Sequence, residues 1–100
     1  MNEQVAVIGG GIGGLTAALA LAHHGIPVTI HERAPELREI GTGLGVWPAP
    51  LRVFDHLGIG DAVRSLGCSW DEAGVRRSDG RFLIRYTADQ FSARLGEPTI

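Results

Sequence analysis

Two periodicities divide the first third of the chain. Gln4 to Ile8 (QVAVI) is a short apolar, β-branched run that ends at glycine, the pattern of a buried parallel strand. From Ile12 to His24 the period lengthens. Ile12, Leu15, Leu19 and Ala22 recur at helical spacing, with small Ala17, Ala18 and Ala20 between them. Gly25 supplies a stop. Pro27 then opens a second strand, Val28 to Glu32, at the first position, where a strand tolerates proline. Strand, helix and strand over this length predict a right-handed βαβ unit.

Beyond Glu32 the pattern loosens. Ala34 to Ile40 reads as a short helical turn, and Gly41 to Gly45 (GTGLG) as a second glycine-rich loop. Leu51, Phe54 and Leu57 predict a helix over Pro48 to Leu57 with Gly58 as its cap. Asp61 fits the N-cap of another short helix running to about Leu66. Ala73 to Arg77 and Arg81 to Tyr86 flank Ser78-Asp79-Gly80, and Asp-Gly between two strand-like runs signals a hairpin. After Ala88 no element can be read, although Leu95 to Ile100 resembles the approach to a further strand. The expected fold is therefore α/β: a Rossmann-like βαβ nucleotide-binding unit, then short helices and a β-hairpin.

Composition narrows the function more than the fold. The 100 residues leave room for one compact unit. Net charge is −2, with the nine basic residues, all arginine, spread along the chain. A nucleic-acid surface would need a basic stripe. The single cysteine, Cys68, has no partner for an internal disulfide or a CxxC metal site, which fits a reducing compartment. No Lys or Arg precedes Arg33, so Leu15 to Ala22 is not the core of a signal peptide, and it is shorter than the ~20 residues of a membrane span. These features describe a cytoplasmic protein without nucleic-acid or membrane partners. His23, His24, His31 and His56 lack further ligands at metal-binding spacing and read as structural, as do Trp47 and Trp70.

The candidate chemistry lies in Gly9 to Gly14. This run satisfies G-x-G-x-x-G at Gly9, Gly11 and Gly14, follows a strand, opens a helix, and is answered by Glu32 eighteen positions after Gly14. Gly9 permits the tight turn out of the strand. Gly11 lets the backbone approach a pyrophosphate, and Gly14 lets the helix lie near the sheet. Unpaired N–H groups and the positive end of the helix dipole suit phosphates. The two oxygens of Glu32 can accept from both hydroxyls of an adenosine ribose. NAD, NADP and FAD share that ADP moiety, so the unit alone does not choose among them. Glu32 disfavours the 2′-phosphate of NADP, while neighbouring Arg33 would welcome it.

The stretch "VAVIGGGIGGLTAALALAHHGIPVTIHER" followed by "APELREIGTGLGVWPAPLRVFDHLGIGDAVRSLG" resembles the start of the single-component FAD-dependent aromatic hydroxylases, nearest the salicylate hydroxylase and 3-hydroxybenzoate 6-hydroxylase branch. The likeness runs from Val5 to Gly67, more loosely to Tyr86, and "EIGTGLGVWPAPLRVF" is its most discriminating part. It implies a tightly bound FAD. Gly9, Gly11, Ile12 and Gly13 would belong to its pyrophosphate loop, with Glu32 and Arg33 at the adenosine end. Thr42 to Leu44, hence Gly43 and Leu44, would lie beside the flavin ring. Arg38 matches a position often basic in the family and reads equally well as a solvated charge. The implied reaction passes one atom of oxygen to a small aromatic substrate, with NAD(P)H reducing the flavin. Family members are several times longer and carry a Gly-Asp flavin-contacting motif and a separate substrate domain. Neither is found here, so residues 1–100 read as the N-terminal part of an FAD-binding domain, with no assignable catalytic residue. A different FAD enzyme (a reductase or epoxidase) and a non-catalytic nucleotide-binding fragment are the rival readings.

Overall fold

The computed structural model describes residues 3–41, 43–96 and 100. Where composition left room for one compact unit, the chain divides into two, Met1–Thr42 and Gly43–Ile100. No helix among the described residues is long and apolar enough to cross a membrane.

The first unit is the βαβ element. β1 (Val5–Ile8) and β2 (Val28–His31) pair in parallel, Val5 opposite Val28 through Ile8 opposite His31, and α1 (Ile12–His23) connects them. The helix stops at a Schellman motif. Gly25 N–H donates to the Ala22 carbonyl and Ile26 N–H to that of Leu21, both at 2.9 Å. Two expectations fail in this unit. The helix face expected to pack, Ile12, Leu15 and Leu19, is 58%, 38% and 41% exposed. Instead Gly14, Ala18 and part-buried Leu21 carry the packed face. α1 is apolar around its whole circumference, so periodicity does not select a side. The small residues permit the closest approach to the strands. Nor are the strands buried: only Val7 and Val28 are partly covered, and Ile8 is 81% exposed. One helix covers one face of a two-stranded sheet, whereas parallel sheets are ordinarily covered on both.

Ala34 to Ile40 is not helical; bends follow β2 and the chain then runs on without regular structure. Seven residues are too few to hold a helix without strong packing. The Ala34 N–H is also taken by a side chain described below.

The second unit holds α2 (Pro48–His56), α3 (Gly60–Leu66), the hairpin of β3 (Glu72–Arg76) and β4 (Phe82–Thr87), and α4 (Ala88–Leu95). Leu51, 1% exposed, is the packed centre of α2. Gly58 caps this helix as expected, again in a Schellman motif with Ile59. Asp61 does not cap α3. Ile59 occupies that position and Asp61 sits in the first turn, where its charge still suits the dipole. Gly60 begins α3 because the Asp55–Arg64 ion pair lies against it; a Cβ there would stand 1.8 Å from Asp55 Oδ1.

The hairpin turns through Ser78-Asp79-Gly80, closed by Arg77 N–H to Arg81 O at 2.8 Å and Gly80 N–H to Arg77 O at 3.0 Å. The Asp79 carboxylate accepts from the Arg81 N–H. A bulge opposite Val75 and Arg76 shifts the register. α4, which the apolar pattern did not reveal, begins with a capping box. Thr87 N–H donates to Gln90 Oε1 at 2.9 Å, and Gln90 N–H to Thr87 Oγ1 at 3.3 Å. Phe91 of this helix joins Trp47, Trp70 and Tyr86 in one aromatic cluster, with centroids 4.8–5.7 Å from Phe91. Ile100 and Val46 exchange both backbone hydrogen bonds, as opposed residues of antiparallel strands do.

Candidate nucleotide site

β1 ends in the glycine loop, and each glycine there has a separate local reason. Gly9 turns the chain with φ +103° while its N–H still donates to the His31 carbonyl at 2.8 Å. Gly14 is required by the helix contact: a Cβ would stand 1.9 Å from the Gly9 oxygen and 3.3 Å from Val7 Cγ1. Gly10 is buried between Leu37 and Glu32. By contrast, a Cβ at Gly11 or Gly13 would meet nothing within 4 Å. Those two glycines leave an open approach to the start of α1. Gly11 is its N-cap without a side-chain cap, and the first turn contains no acid. The first N–H groups of a helix have no intrahelical partners, so this end offers donors and a partial positive charge.

Across from the helix start stands Glu32, just past the end of β2. Its Oε2 accepts from the Gly10 N–H at 2.6 Å and its Oε1 from the Ala34 N–H at 3.0 Å. These bonds, Ala34 first and then Gly10, with help from Arg33, hold the carboxyl below its ordinary value of 4.5 against a smaller opposing effect of burial. The group is ionised at neutral pH and each oxygen keeps a lone pair for an external donor.

A groove of about 690 Å³ runs between these features. Gly10, Gly11, Ile12 and Leu15 form one side; Glu32, Ala34 and residues 36–40 form the other. Of the residues expected at the site, the structure brings together Gly11, Ile12 and Glu32. Gly9, Gly13 and Arg33 do not line the groove, although each adjoins a residue that does. Gly43 and Leu44 belong to the second unit and are exposed there. Thr42 lies outside the described residues.

Arg38 lines the groove and is held by Glu36, its Nε donating at 2.8 Å. Sequence reasoning missed Gly10 and Leu37 as site residues. Gly10 could have been suspected as a small residue inside the motif; Leu37 carried no local signal. His23 and His24 meet edge to face at 5.9 Å, and Cys68 is exposed. Among the described residues no three His, Cys, Asp or Glu side chains come together as a metal cluster would require.

The family model described as "FAD binding domain" matches residues 2–95. The chain is 44% identical over 96 residues to 3-hydroxybenzoate 6-hydroxylase of Polaromonas naphthalenivorans, covering 94% of this chain and 24% of that protein. Its fold is similar to that of Klebsiella pneumoniae HpxO complexed with FAD and uric acid, with a TM-score of 0.76 and 31% identity, covering 96% of this chain and 24% of HpxO. It is also similar to 2-methyl-3-hydroxypyridine-5-carboxylic acid oxygenase, with a TM-score of 0.78 and 33% identity over 98% of this chain and 24% of that one. The chain thus spans about a quarter of the length of these relatives.

Proposed function

Because the chain belongs to the FAD-binding domain family, we propose that it forms the N-terminal FAD-binding part of a flavoprotein monooxygenase that hydroxylates a small aromatic or heterocyclic substrate with oxygen and NAD(P)H. The observation that carries this reading is a single groove holding both an open helix N-terminus and an ionised carboxylate with spare acceptors. That pair matches the diphosphate and the ribose of an ADP moiety. N–H groups of Gly11, Ile12 and Gly13 bind the pyrophosphate, with Gly9 setting the turn. Glu32 accepts from the ribose hydroxyls, and Arg33 borders the adenosine end. For Gly43 and Leu44 the family likeness alone supports a place beside the flavin ring.

When bound, the flavin supplies the electron transfer from NAD(P)H and the activation of oxygen; the chain's part is to bind and orient it. Two of the relatives named above act by their names on a hydroxybenzoate and a hydroxypyridine carboxylate, and HpxO is complexed with uric acid. They support an electron-rich ring as substrate class. The exposed single cysteine supports a reducing, cytoplasmic location.

The test is reconstitution of the full-length protein that carries this segment. Flavin absorbance and NAD(P)H-dependent oxygen consumption stimulated by phenols or hydroxylated heterocycles are expected. Uptake of NAD without flavin absorbance would overturn the FAD reading, and flavin reduction without substrate-dependent product would favour a reductase.

A further inference from the structure

We propose that Glu32 is a positioning residue that clamps the two walls of the groove together before any nucleotide arrives, one oxygen holding the glycine loop and the other holding the start of residues 34–40. The proposal concerns the site of the flavin-nucleotide reading and is tested without nucleotide.

The geometry is specific. Oε2 accepts from the Gly10 N–H at 2.6 Å and Oε1 from the Ala34 N–H at 3.0 Å, so one carboxylate bridges two segments separated by 22 positions at one contact and two at the other. Leu37 adds a packing contact between the same walls, its Cδ2 lying 3.1 Å from where a Gly10 Cβ would stand. Residues 34–40 form neither helix nor strand, so no regular backbone ladder holds that wall. Fixing it in advance lowers the ordering cost that binding would otherwise carry. Because each oxygen retains a lone pair, the clamp and a ribose contact can coexist.

The charged groups around the carboxylate are Arg33 beside it and Glu36, Arg38 and Glu39 further along its own side of the groove, with Arg38 tied to Glu36. Neither β1 nor the first turn of α1 contributes an acid.

Amide NMR of the nucleotide-free protein decides the matter. In the parent, the Gly10 and Ala34 amide protons should titrate together with a midpoint below 4.5, the ordinary value for this carboxyl. In Glu32→Ala, both amides should exchange with solvent about tenfold faster or more, as expected for loss of a bond to a charged acceptor. The Val5 amide, bonded to the Pro27 carbonyl, should keep its protection and report that β1 and β2 remain paired. Glu32→Gln has one acceptor oxygen and should retain protection at only one of the two amides. Independent titration of Gly10 and Ala34 in the parent overturns the clamp, and this measurement stands even if a variant unfolds. Unchanged exchange at Gly10 in a folded Glu32→Ala variant overturns it as well. Failure to bind FAD would sink the functional reading and leave these amide results intact.

Discussion

A carboxylate just past a strand end is ordinarily solvated and weakly held; Glu32 differs because two backbone N–H groups of separate segments converge on it. Under the proposed role, Glu32→Ala in the full-length protein should weaken FAD binding about tenfold or more, measured by flavin-fluorescence titration of the apo-protein. An affinity within twofold of the parent would remove Glu32 from the site. The glycines allow fold and binding to be separated. Gly14→Ala places a methyl group against the Gly9 carbonyl and should lower stability by about 1–3 kcal/mol in denaturant titration. Gly13→Ala meets no atom of the chain and should hold or raise stability by up to ~1 kcal/mol, as alanine does inside a helix. It should nevertheless weaken FAD binding, since the new methyl occupies the open approach. Equal FAD affinity in parent and Gly13→Ala would move the pyrophosphate away from this loop.

At the scale of elements, local signals account for most successes and their absence for the failures. The hairpin was legible because Asp79-Gly80 sits between two short strand-like runs, Ala73 to Arg77 and Arg81 to Tyr86. α4 carried its own signature in Thr87 and Gln90, yet only Phe91 and Leu95 follow as large apolar residues, too few to reveal a period. Thr87→Ala should cost about 0.5–2 kcal/mol and loosen the Phe91 aromatic cluster, read together from denaturation and tryptophan fluorescence. Unchanged stability would mean the cap contributes nothing. Between α2 and α3, Arg64 hydrogen bonds hold the Asp55 carboxyl below its ordinary value of 3.8. A depressed folded-state value means the contribution is present above 3.8 and lost as pH falls through the folded value. Asp55→Asn should therefore flatten the acid limb of the stability profile. An acid limb identical to the parent's would show that the ion pair is not coupled to folding.

Over the whole molecule, the balance of covered and uncovered surface is unusual. Ile40 and Leu66 are 87% and 90% exposed, and the apolar residues of β1 and α1 lack cover on one side. Exposed apolar side chains of this kind are what a hydrophobic dye binds. Expressed alone, residues 1–100 should bind a hydrophobic dye such as ANS and should not hydroxylate any phenol, because the flavin would have no substrate domain to position a ring against it. Substrate-dependent product from the isolated chain would refute this expectation.

Sequence alone determined the βαβ order, the helix stops at Gly25 and Gly58, the hairpin turn and the position of the glycine loop between β1 and α1. Each depends on a few neighbouring residues whose backbone preferences and period act locally. It could not determine which side of α1 packs, because a helix apolar all round offers every side equally. The strands answer that by admitting the small residues Gly14 and Ala18. Nor could it join Glu32 to Gly10, or Leu37 to the same loop, since those contacts cross 22 and 27 positions and exist only once β1 and β2 lie side by side. The shape of the groove was decided there, by tertiary structure, because a binding wall needs two segments at one place.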